Sequence, residues 1–357
     1  MKSEIGEHIF MIIPEAKKYL KKSDLSKNFT DRRGSSTVHP NGQDDMIEFQ
    51  EVSKVFSGHQ GREVTAVDRV SLQVHAGETV CLIGTSGSGK TTCMKMVNRL
   101  IEPSSGTILV GGKRVQEQDP IDLRRQIGYV IQKAGLLPHL TVSRNIGLLC
   151  KLVGWSKERI RSRVDELLSL VNLPPDQYRS RYPLELSGGQ QQRVGVARAL
   201  ALDPGYILMD EPFGALDPIT RNGLHDEFLR LKEEVKKTTI LVTHDLSEAF
   251  KLGDRIALLR AGKLIQIGTE DDFRYRPESD FVRDFVENHV ASLRLTVADA
   301  AIEGTCEGQT EPLLQSDPLR VALKMFLKSE VHELPVVSAD GDPVGRVTRE
   351  SVRKCLE

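Results

Sequence analysis

The clearest chemistry in the chain lies in one glycine-rich run, Gly84-Thr85-Ser86-Gly87-Ser88-Gly89-Lys90-Thr91. Its spacing fits the phosphate-binding pattern G-x-x-x-x-G-K-[ST], which needs a strand before it and a helix after it. The glycines allow backbone N–H groups to turn inward around phosphate oxygens, and the helix start adds a favourable dipole. We expect Lys90 to reach the β and γ phosphates and Thr91 to bind Mg²⁺. The alternative is a glycine-rich turn with a surface lysine.

Two carboxylates at the end of an apolar strand form a second candidate group. Asp210 and Glu211 follow the run Tyr206-Ile207-Leu208-Met209. Sites in α/β proteins form at the carboxyl ends of parallel strands. We therefore predict that Asp210 holds Mg²⁺ through water and that Glu211 accepts a proton from an attacking water. Taken alone, such a pair is typical of a solvated surface.

A histidine after another apolar strand is the third candidate. His244 follows Thr239-Ile240-Leu241-Val242 and lies downstream of Glu211 in the chain. We predict that it donates a hydrogen bond to a γ-phosphate. A glutamate base with a positioning histidine suits a hydrolytic transfer in which electrostatics and positioning do most of the work. The alternative is a core histidine whose hydrogen bonds are satisfied.

A second glycine-containing helix start lies at Leu186-Ser187-Gly188-Gly189-Gln190, before a helical run that reaches Leu200. A hydroxyl and bare N–H groups at a helix start make a further anion-binding end. Because one nucleotide needs only one such cradle, we expect this end to close on phosphate held by another copy of the chain. The alternative is an ordinary helix with Ser187 as its N-cap.

These groups need a framework of alternating strands and helices. Short apolar strands are predicted over 79–83, 206–209 and 239–242, with helical spacing between them. This alternation is typical of a largely parallel α/β core. The stretch before Gly84 has closely spaced strands and no helix, which predicts an added antiparallel layer. After the glycine-rich run, the helical pattern consists of Cys93, Val97, Leu100 and Ile101.

Composition and pattern divide the chain into three segments. Residues 1–45 are predicted to be an N-terminal extension, with an amphipathic helix over 9–25 and then a linker; a loosely ordered extension is the alternative. Residues 46–287 carry all the motifs above and form one α/β domain. Residues 288–357 form a small α+β domain, which contains a helix and then a strand, turn and strand over 334–348.

Charge and hydropathy exclude several classes of protein. Lys and Arg number 49 and Asp and Glu number 50, so the formal net charge of −1 gives no general attraction to nucleic acid. No run approaches the roughly 18 apolar residues of a membrane span. The five scattered cysteines form no C-x-x-C pair, which argues against a zinc or dithiol site. We expect a chain that stays in the cytoplasm and reaches a membrane by docking onto a partner.

With these motifs the chain resembles the ATPase subunit of ATP-binding cassette (ABC) transporters over about residues 46–287. The run 84–91 resembles the Walker A loop, 209–211 the end of Walker B, and 186–190 the signature sequence. The resemblance implies a P-loop NTPase fold with a mainly parallel sheet, an antiparallel β layer and a helical subdomain. It also implies a head-to-tail homodimer, in which ATP and Mg²⁺ lie between the phosphate loop of one chain and the signature of the other.

Further motifs follow in the order of that family. Gln132 is similar to the Q-loop glutamine, which senses Mg²⁺ and the γ-phosphate, and Asp217 belongs to a run that resembles the D-loop. His244 resembles the switch histidine, and Phe56 is similar in position to the aromatic residue that stacks on adenine. The implied nucleotide-binding residues are Gly84, Thr85, Ser86, Gly87, Ser88, Gly89, Lys90, Thr91, Thr92, Phe56, Ser187, Gly188, Gly189, Gln190 and Asp217. The implied catalytic residues are Glu211, His244 and Gln132, and the implied metal ligands are Thr91, Gln132 and Asp210.

The sequence around Gln132 narrows the resemblance to one subgroup of that family. The stretches 96–101, 122–132 and 135–142 are similar to ATPases of importers for quaternary-ammonium osmoprotectants such as glycine betaine, carnitine and choline. Such a subunit works with membrane permease subunits and an extracytoplasmic solute-binding protein, as a peripheral protein at the cytoplasmic face of the membrane. The residues predicted to face the permease are Leu136, Leu137 and His139. Packing within their loop is the alternative role for these three residues.

The C-terminal segment supports this narrowing. Residues 317–348 resemble one cystathionine-β-synthase (CBS) repeat, an appendage typical of osmoprotectant ATPases. Two repeats normally form a module, so a pair would form across a dimer. In nucleotide-binding repeats a Thr is followed three positions later by an Asp that holds ribose, whereas here Thr348 is followed by Ser351. Structural capping or dimerisation is therefore an alternative to adenosine binding.

Other functions of the same superfamily fit less well. DNA-repair and chromosome-maintenance ATPases carry coiled-coil or zinc insertions, and neither a heptad run nor cysteine pairs are present. Translation-associated members hold two cassettes in one chain. The alternative function that remains is an ABC importer ATPase for another small solute, such as an amino acid.

Overall fold

The computed structural model describes most of the chain that follows the predicted extension. The described residues are 46–57, 63–132, 134–214, 216–289, 296–302, 304, 312–317, 319–328 and 331–356. The predicted extension 1–45 and Ala215 of the D-loop-like run lie outside them. Within the described ranges, no helix combines the length and the apolar character that crossing a membrane requires.

Strands and helices alternate along the described chain as the hydrophobic pattern predicts. The strands are β1 (Ile47–Ser57), β2 (Glu63–Val74), β3 (Thr79–Ile83), β4 (Ser105–Val110), β5 (Lys113–Arg114), β6 (Ile127–Val130), β7 (Tyr206–Asp210), β8 (Thr238–Val242), β9 (Arg255–Arg260), β10 (Lys263–Gly268), β11 (Leu313–Leu314), β12 (Glu333–Val337) and β13 (Pro343–Thr348). The helices are α1 (Lys90–Val97), α2 (Pro120–Arg125), α3 (Val142–Ile146), α4 (Leu148–Leu152), α5 (Lys157–Leu170), α6 (Pro175–Tyr178), α7 (Gly188–Ala199), α8 (Pro218–Val235), α9 (Leu246–Leu252), α10 (Glu270–Tyr275), α11 (Asp280–His289), α12 (Val297–Ala300), α13 (Leu319–Lys328) and α14 (Arg349–Leu356).

The largest sheet has the strand order β10-β9-β3-β8-β7-β6. Strand β3 pairs parallel with β9, with Val80 opposite Arg255, and β6 pairs parallel with β7, with Ile127 opposite Tyr206. Strand β10 joins β9 antiparallel. Every residue of β3 and of β8 is buried, as expected for strands covered on both faces. The predicted, largely parallel α/β core is confirmed.

A second, four-stranded sheet has the order β2-β1-β4-β5, and β4 pairs antiparallel with β5. Burial alternates along the end of β2, where Val70, Leu72 and Val74 are buried and the residues between them are exposed. This period of two is that of a sheet with one covered face. The sheet is the additional β layer predicted from the helix-free stretch before Gly84.

Contacts divide the described chain into two compact units. The first consists of described residues within Met1–Val52, Ser71–Glu78 and Met94–Ile240, and the second of those within Ser53–Val70, Thr79–Cys93 and Leu241–Glu357. The predicted bounds at 45/46 and 287/288 are not tested by this division and stay predictions.

A small apolar core lies near the C-terminus. In its sheet, β11 pairs parallel with β12, and β12 pairs antiparallel with β13. The buried residues of this core are Val297, Ala300, Leu313, Leu319, Ala322, Phe326, Leu334, Val336, Val347 and Val352. Six of them lie in α13, β12 and β13. The structure therefore confirms the predicted helix and the strand–turn–strand pattern that follows it.

The helix after the glycine-rich run is shorter than predicted. Helix α1 ends at Val97, and Leu100 lies outside it. Arg99 has a φ of 50°, and the N–H groups of Arg99 and Leu100 donate to the carbonyls of Met96 at 3.0 Å and Lys95 at 2.9 Å. This pair of bonds is a Schellman-type helix end. Because a left-handed arginine stops the helix, the apolar spacing beyond it is not helical.

Candidate nucleotide-binding site

The glycine-rich loop between β3 and α1 adopts a backbone that requires glycine. Gly84, Gly87 and Gly89 have φ values of +142°, +76° and +102°. A Cβ atom on Gly84 would lie 2.1 Å from the carbonyl oxygen of Leu259, and one on Gly89 would lie 2.5 Å from that of Ala66. The loop therefore combines a backbone that only glycine adopts easily with contacts that only a hydrogen side chain permits.

Lys90, the first residue of α1, turns its ammonium back into this loop. Its Nζ donates to the carbonyl oxygens of Gly84 at 2.8 Å and Thr85 at 3.0 Å, and to Ser88 Oγ at 3.4 Å. Lys90 is 7% exposed. A cation held inside a loop of glycines at a helix start is the arrangement that phosphate oxygens require. The loop thus fits a nucleotide phosphate on its geometry as well as its spacing.

The middle of the loop is exposed to solvent. Thr85, Ser86 and Gly87 are exposed, whereas Ser88 is buried and its N–H donates to the carbonyl of Thr85 at 3.2 Å. Thr91 and Thr92 are half-buried in the first turn of α1. The loop therefore has backbone and hydroxyl groups on its solvent-exposed side and the Lys90 ammonium on its buried side.

Cys93 lies behind the loop and takes no part in this chemistry. Its side chain is fully buried in α1. Burial raises the pKa of its thiol to about 12. A thiol in that state is a packing group and not a nucleophile.

His244 stands between two residues that the fold holds in place. The N–H of Thr243 donates to the carbonyl of Leu82 in β3 at 3.1 Å, two residues before Gly84. Thr243 Oγ1 donates to the buried Glu248 Oε2 at 3.2 Å and accepts from the N–H of Asp245 at 3.0 Å. Asp245 in turn caps α9. His244 is exposed, and the bond from Thr243 to Leu82 places it at the same sheet edge as the loop.

Gln132 and Glu211 contact each other directly. Val130 and Met209 are opposite partners at the ends of the parallel strands β6 and β7. Beyond them, Gln132 Nε2 donates to Glu211 Oε2 at 2.8 Å. The predicted sensor and the predicted base therefore meet at the carboxyl ends of neighbouring strands, where α/β proteins form their sites.

Glu211 occupies an unusual backbone conformation. Its φ is +43°, a left-handed value that is uncommon for any residue other than glycine, asparagine or aspartate. Its carbonyl accepts from the N–H of Gly214 at 3.2 Å, which closes the turn after β7. Such strain persists where the surrounding structure holds a functional group in one direction.

Asp210 ends β7 and is half-buried. Burial raises the pKa of the Tyr129 hydroxyl above its usual range, and the nearby negative charge of Asp210 raises it further. Tyr129 therefore stays neutral. The negative charge of Asp210 therefore acts on a neighbouring group of the same strand pair.

The helix start at Ser187 is capped within its own turn. Ser187 Oγ accepts from the N–H of Gln190 at 3.3 Å, and Gln190 Oε1 accepts from the N–H of Ser187 at 3.0 Å. These two bonds form a capping box. Ser187 and Gly188 are exposed and Gly189 is buried, where a Cβ would lie 2.8 Å from Thr220 Cγ2. The structure confirms the capped helix, and anion binding at this end stays a prediction.

Two further predicted residues lie apart from these groups. Asp217 caps α8, since its Oδ1 accepts from the N–H of Thr220 at 3.0 Å, and it is exposed. Phe56 is 40% exposed, and Lys54 Nζ lies 5.0 Å from the centre of its ring. The ring of Phe56 is exposed and therefore accessible for stacking.

Sequence reasoning missed one group that supports Gln132. Arg198 Nη1 and Nη2 donate to the carbonyls of Gly135 and Ala134, both at 2.7 Å. The available signal was a charged residue between two alanines on the buried side of α7. The helical pattern alone does not distinguish such an arginine from one on a solvent-exposed face.

Comparisons with known proteins match two parts of the chain to known families. The family model described as ABC transporter matches residues 67–214, and the one described as CBS domain matches residues 313–357. A solved dimeric structure of an ATP-binding cassette, in a post-hydrolysis state bound to ADP and Pi, is 33% identical with a TM-score of 0.56. It covers 62% of this chain and 98% of that chain.

Curated relatives extend the similarity beyond the cassette. The glycine betaine/carnitine/choline transport ATP-binding protein OpuCA of Bacillus subtilis (strain 168) is 54% identical over 241 residues, which are 68% of this chain. The chain spans 62% of the length of that relative. The choline transport ATP-binding protein OpuBA of the same organism is 45% identical over 310 residues, 87% of this chain and 80% of that protein.

Proposed function

The chain belongs to the ATP-binding proteins of ABC transporters, and from this premise we propose that it powers an importer of glycine betaine, carnitine or choline-type osmoprotectants by hydrolysing ATP. The observation that carries the ATP part is the glycine loop with the Lys90 ammonium inside it. The solute class is supported by the relatives, whose names specify these compounds.

ATP binding is assigned to residues that the geometry suits. The phosphate loop offers inward N–H groups, and Lys90 exchanges its bonds to Gly84 and Thr85 for phosphate oxygens. Phe56 stacks on adenine, and the remaining nucleotide contacts come from the loop and the first turn of α1. Thr91, Asp210 and Gln132 would hold Mg²⁺, which would supply neutralisation of charge on the phosphates.

Hydrolysis is assigned to a base and two positioning groups. Glu211 takes a proton from the attacking water, and its left-handed turn fixes the direction of the carboxylate. In the geometry seen here, Gln132 occupies one carboxylate oxygen of Glu211. Release of that amide would make the oxygen available to water. His244 donates a hydrogen bond to the γ-phosphate.

A second copy of the chain completes the site. Ser187 and Gly188 at the start of α7 are exposed, and the capping box there contains no cation. We propose that Ser187, Gly188, Gly189 and Gln190 close on ATP held by the other chain, with Asp217 beside them. The dimer docks on membrane permease subunits at the cytoplasmic face, and an extracytoplasmic binding protein delivers the solute. ATP shifts the population from open to closed dimers.

We propose that the CBS-like segment serves as a structural cap or pairs with a second copy of itself across the dimer, and that it does not bind adenosine. Ser351 Oγ accepts from the N–H of Thr348 at 3.0 Å, and the N–H of Ser351 donates to Thr348 Oγ1 at 3.1 Å. Both hydroxyls are thus committed to the start of α14. An uncharged side chain engaged in a helix cap is a poor substitute for a ribose-binding carboxylate.

The experiment reconstitutes the chain with its permease and binding protein in vesicles and measures ATP turnover. Glycine betaine and choline are titrated at low and at high internal salt. Stimulation by either solute supports the proposal, and added salt dependence gives the tail a sensing role. Turnover that responds to an amino acid and to no quaternary ammonium compound would discard the solute class and keep the ATPase.

The base is tested separately with Glu211→Gln. This variant should bind ATP as the wild type does and lose hydrolysis, because the amide cannot accept a proton. The exposed Glu233→Gln serves as the matched control and should be unaffected. Wild-type turnover in Glu211→Gln would contradict the assignment.

A further inference from the structure

Arg198 makes the strongest link between α7 and the chain that follows Gln132. Its two terminal nitrogens donate to the consecutive carbonyls of Ala134 and Gly135, each at 2.7 Å. Burial lowers the pKa of this guanidinium to about 10, so it stays charged at neutral pH. A planar fork that grips two carbonyls fixes their direction as well as their distance.

Two neighbours on the same helix close the contact. Gln192 Oε1 accepts from the N–H of Ala134 at 3.3 Å, and Gln192 is buried. A Cβ on Gly195 would lie 3.4 Å from Ala134, so the helix backbone comes close to this segment. Side-chain bonds therefore hold the 134–135 segment to α7 through both its N–H and its C=O groups.

The two ends of this assembly are the groups that handle ATP in the proposed function. Two residues before Ala134, the Gln132 amide donates to Glu211 at 2.8 Å. At the other end of α7, 11 residues before Arg198, stands the capped Ser187. A hydrogen-bonded helix of this length moves as a stiff rod, so a shift at one end is carried to the other.

We propose that Arg198 is a positioning residue that couples Gln132 to the start of α7. It touches neither Glu211 nor any residue assigned to the phosphates. Through this coupling, the Gln132 amide and the start of α7 move together. The amide moves away from Glu211 as the helix start approaches the second nucleotide. The inference rests on the proposed function, since the roles of Gln132 and Ser187 in ATP handling are part of it.

Arg198→Lys is the variant that tests the coupling. Lysine keeps the charge but lacks the planar fork, so it cannot hold both carbonyls in direction. We expect kcat to fall on the order of 10- to 100-fold, because misplacing a catalytic group by about 1 Å costs about 100-fold. The affinity for ATP should change less than about twofold, since the phosphate loop is untouched.

Arg163→Lys is the matched control. Arg163 also donates to consecutive carbonyls at the end of α7, those of Leu200 at 2.9 Å and Ala201 at 3.3 Å. It makes no contact with the 134–135 segment among the bonds that the structure describes. We expect it to lower thermal stability as Arg198→Lys does while leaving kcat within about twofold of wild type. Equal losses of kcat in the two variants would overturn the proposal.

A double-mutant cycle with Gln132→Ala separates positioning from general packing. If Arg198 acts through Gln132, Arg198→Lys should change kcat less than about twofold once the amide is absent. Losses that multiply in the double variant would show that Arg198 acts on another group, and would overturn the coupling. If Arg198→Lys does not fold, Gln192→Leu takes its place in the cycle, because it removes the acceptor of the Ala134 N–H and leaves Arg198 intact.

Hydrogen exchange tests the link without any need for turnover. In Arg198→Lys, amides of 134–140 and of 187–192 should both exchange faster, whereas Arg163→Lys should leave 134–140 unchanged. Faster exchange confined to the end of α7 would overturn the proposal. A wild-type chain that binds but never hydrolyses ATP would instead refute the proposed function, and the exchange result would still decide whether the link exists.

Discussion

The two glycine-containing helix starts of this chain differ in how far each is complete on its own. At the start of α1, the loop is closed around Lys90, whose ammonium bonds to the carbonyls of Gly84 and Thr85. At the start of α7, Ser187 and Gly188 are exposed, and the capping box with Gln190 contains neutral groups alone. One start carries its own cation, and the other has exposed residues held by a neutral capping box.

This difference supports the proposal that each chain holds one nucleotide although it has two predicted anion-binding helix starts. A helix dipole alone contributes about 0.3–1 kcal/mol toward an anion near its start, which is too little to capture a nucleotide. A buried ammonium adds charge-assisted hydrogen bonds of about 1.5–3 kcal/mol each. The start of α1 is therefore suited to bind phosphate first, and the start of α7 is suited to close on phosphate already held.

Removing the cation should have the largest effect on this contrast. Lys90→Ala should weaken ATP binding by about 100-fold or more, because charge-assisted bonds to phosphate disappear. Fluorescence titration with a labelled ATP measures the dissociation constant. Lys95→Ala, in the last turn of the same helix, serves as the control and should bind normally. An unchanged dissociation constant for Lys90→Ala would remove the distinction between the two helix starts.

A charge at the start of α7 should have the next largest effect. Ser187→Asp and Ser187→Asn both keep an N-cap acceptor, but only aspartate repels phosphate. In the Glu211→Gln background, Ser187→Asp should abolish the ATP-induced dimer, because a like-charge contact costs several kcal/mol. Light scattering measures the dimer, and Ser187→Asn should still form it. Dimerisation of Ser187→Asp would mean that α7 does not meet the second nucleotide.

The rate of thiol alkylation should also differ between the two helix starts, although this effect is smaller. Because burial raises its pKa to about 12, the Cys93 thiol behind the first helix start should resist alkylation at pH 8. Ser187→Cys places a thiol at the exposed second start, where the helix dipole favours the thiolate, and should react rapidly. Mass spectrometry after brief alkylation measures both sites. Rapid labelling of Cys93 in the folded protein would show that the α1 region opens readily.

The smallest expected effect concerns the capping boxes and pH. The box of α7 uses the neutral Gln190, whereas that of α10 uses Asp272, whose pKa is lowered by hydrogen bonds from the backbone and side chain of Thr269. A lowered carboxyl pKa contributes stability that is present above the unfolded pKa, about 3.9, and is lost as pH falls through the folded value. Denaturation at several acidic pH values should show this loss in wild type and less of it in Asp272→Asn. Equal pH dependence in both proteins would contradict the assignment.

Local patterns were sufficient for much of the fold. A five-residue apolar strand followed by glycines and lysine predicted a strand, a phosphate loop and a helix. The structure has the strand and a helix directly after the loop, although the helix ends earlier than predicted. The two-residue period of β2 and the strand–turn–strand pattern near the C-terminus were equally local. These signals succeed because strand and loop geometry depend on residues close together in the chain.

Other features depended on partners far away in the sequence. Helix α1 ends at Val97 because Arg99 adopts a left-handed conformation, which apolar spacing does not indicate. The contact between Gln132 and Glu211 joins residues 79 positions apart. Arg198 grips carbonyls 63 and 64 positions earlier. No local pattern specifies such pairs, since neither residue type reveals which backbone groups the folded chain will bring to it.

Residue type and spacing were enough to predict the candidate groups of this protein, which are the phosphate loop, the carboxylates after β7, the histidine after β8 and the capped glycines of α7. The contacts of each group became visible in the folded chain. The tertiary structure buried the Lys90 ammonium inside its loop, set Gln132 against Glu211 and left Ser187 open to solvent. The physical reason is that identity and spacing select a group's possible bonds, whereas packing decides which of them are made and which are left for a partner.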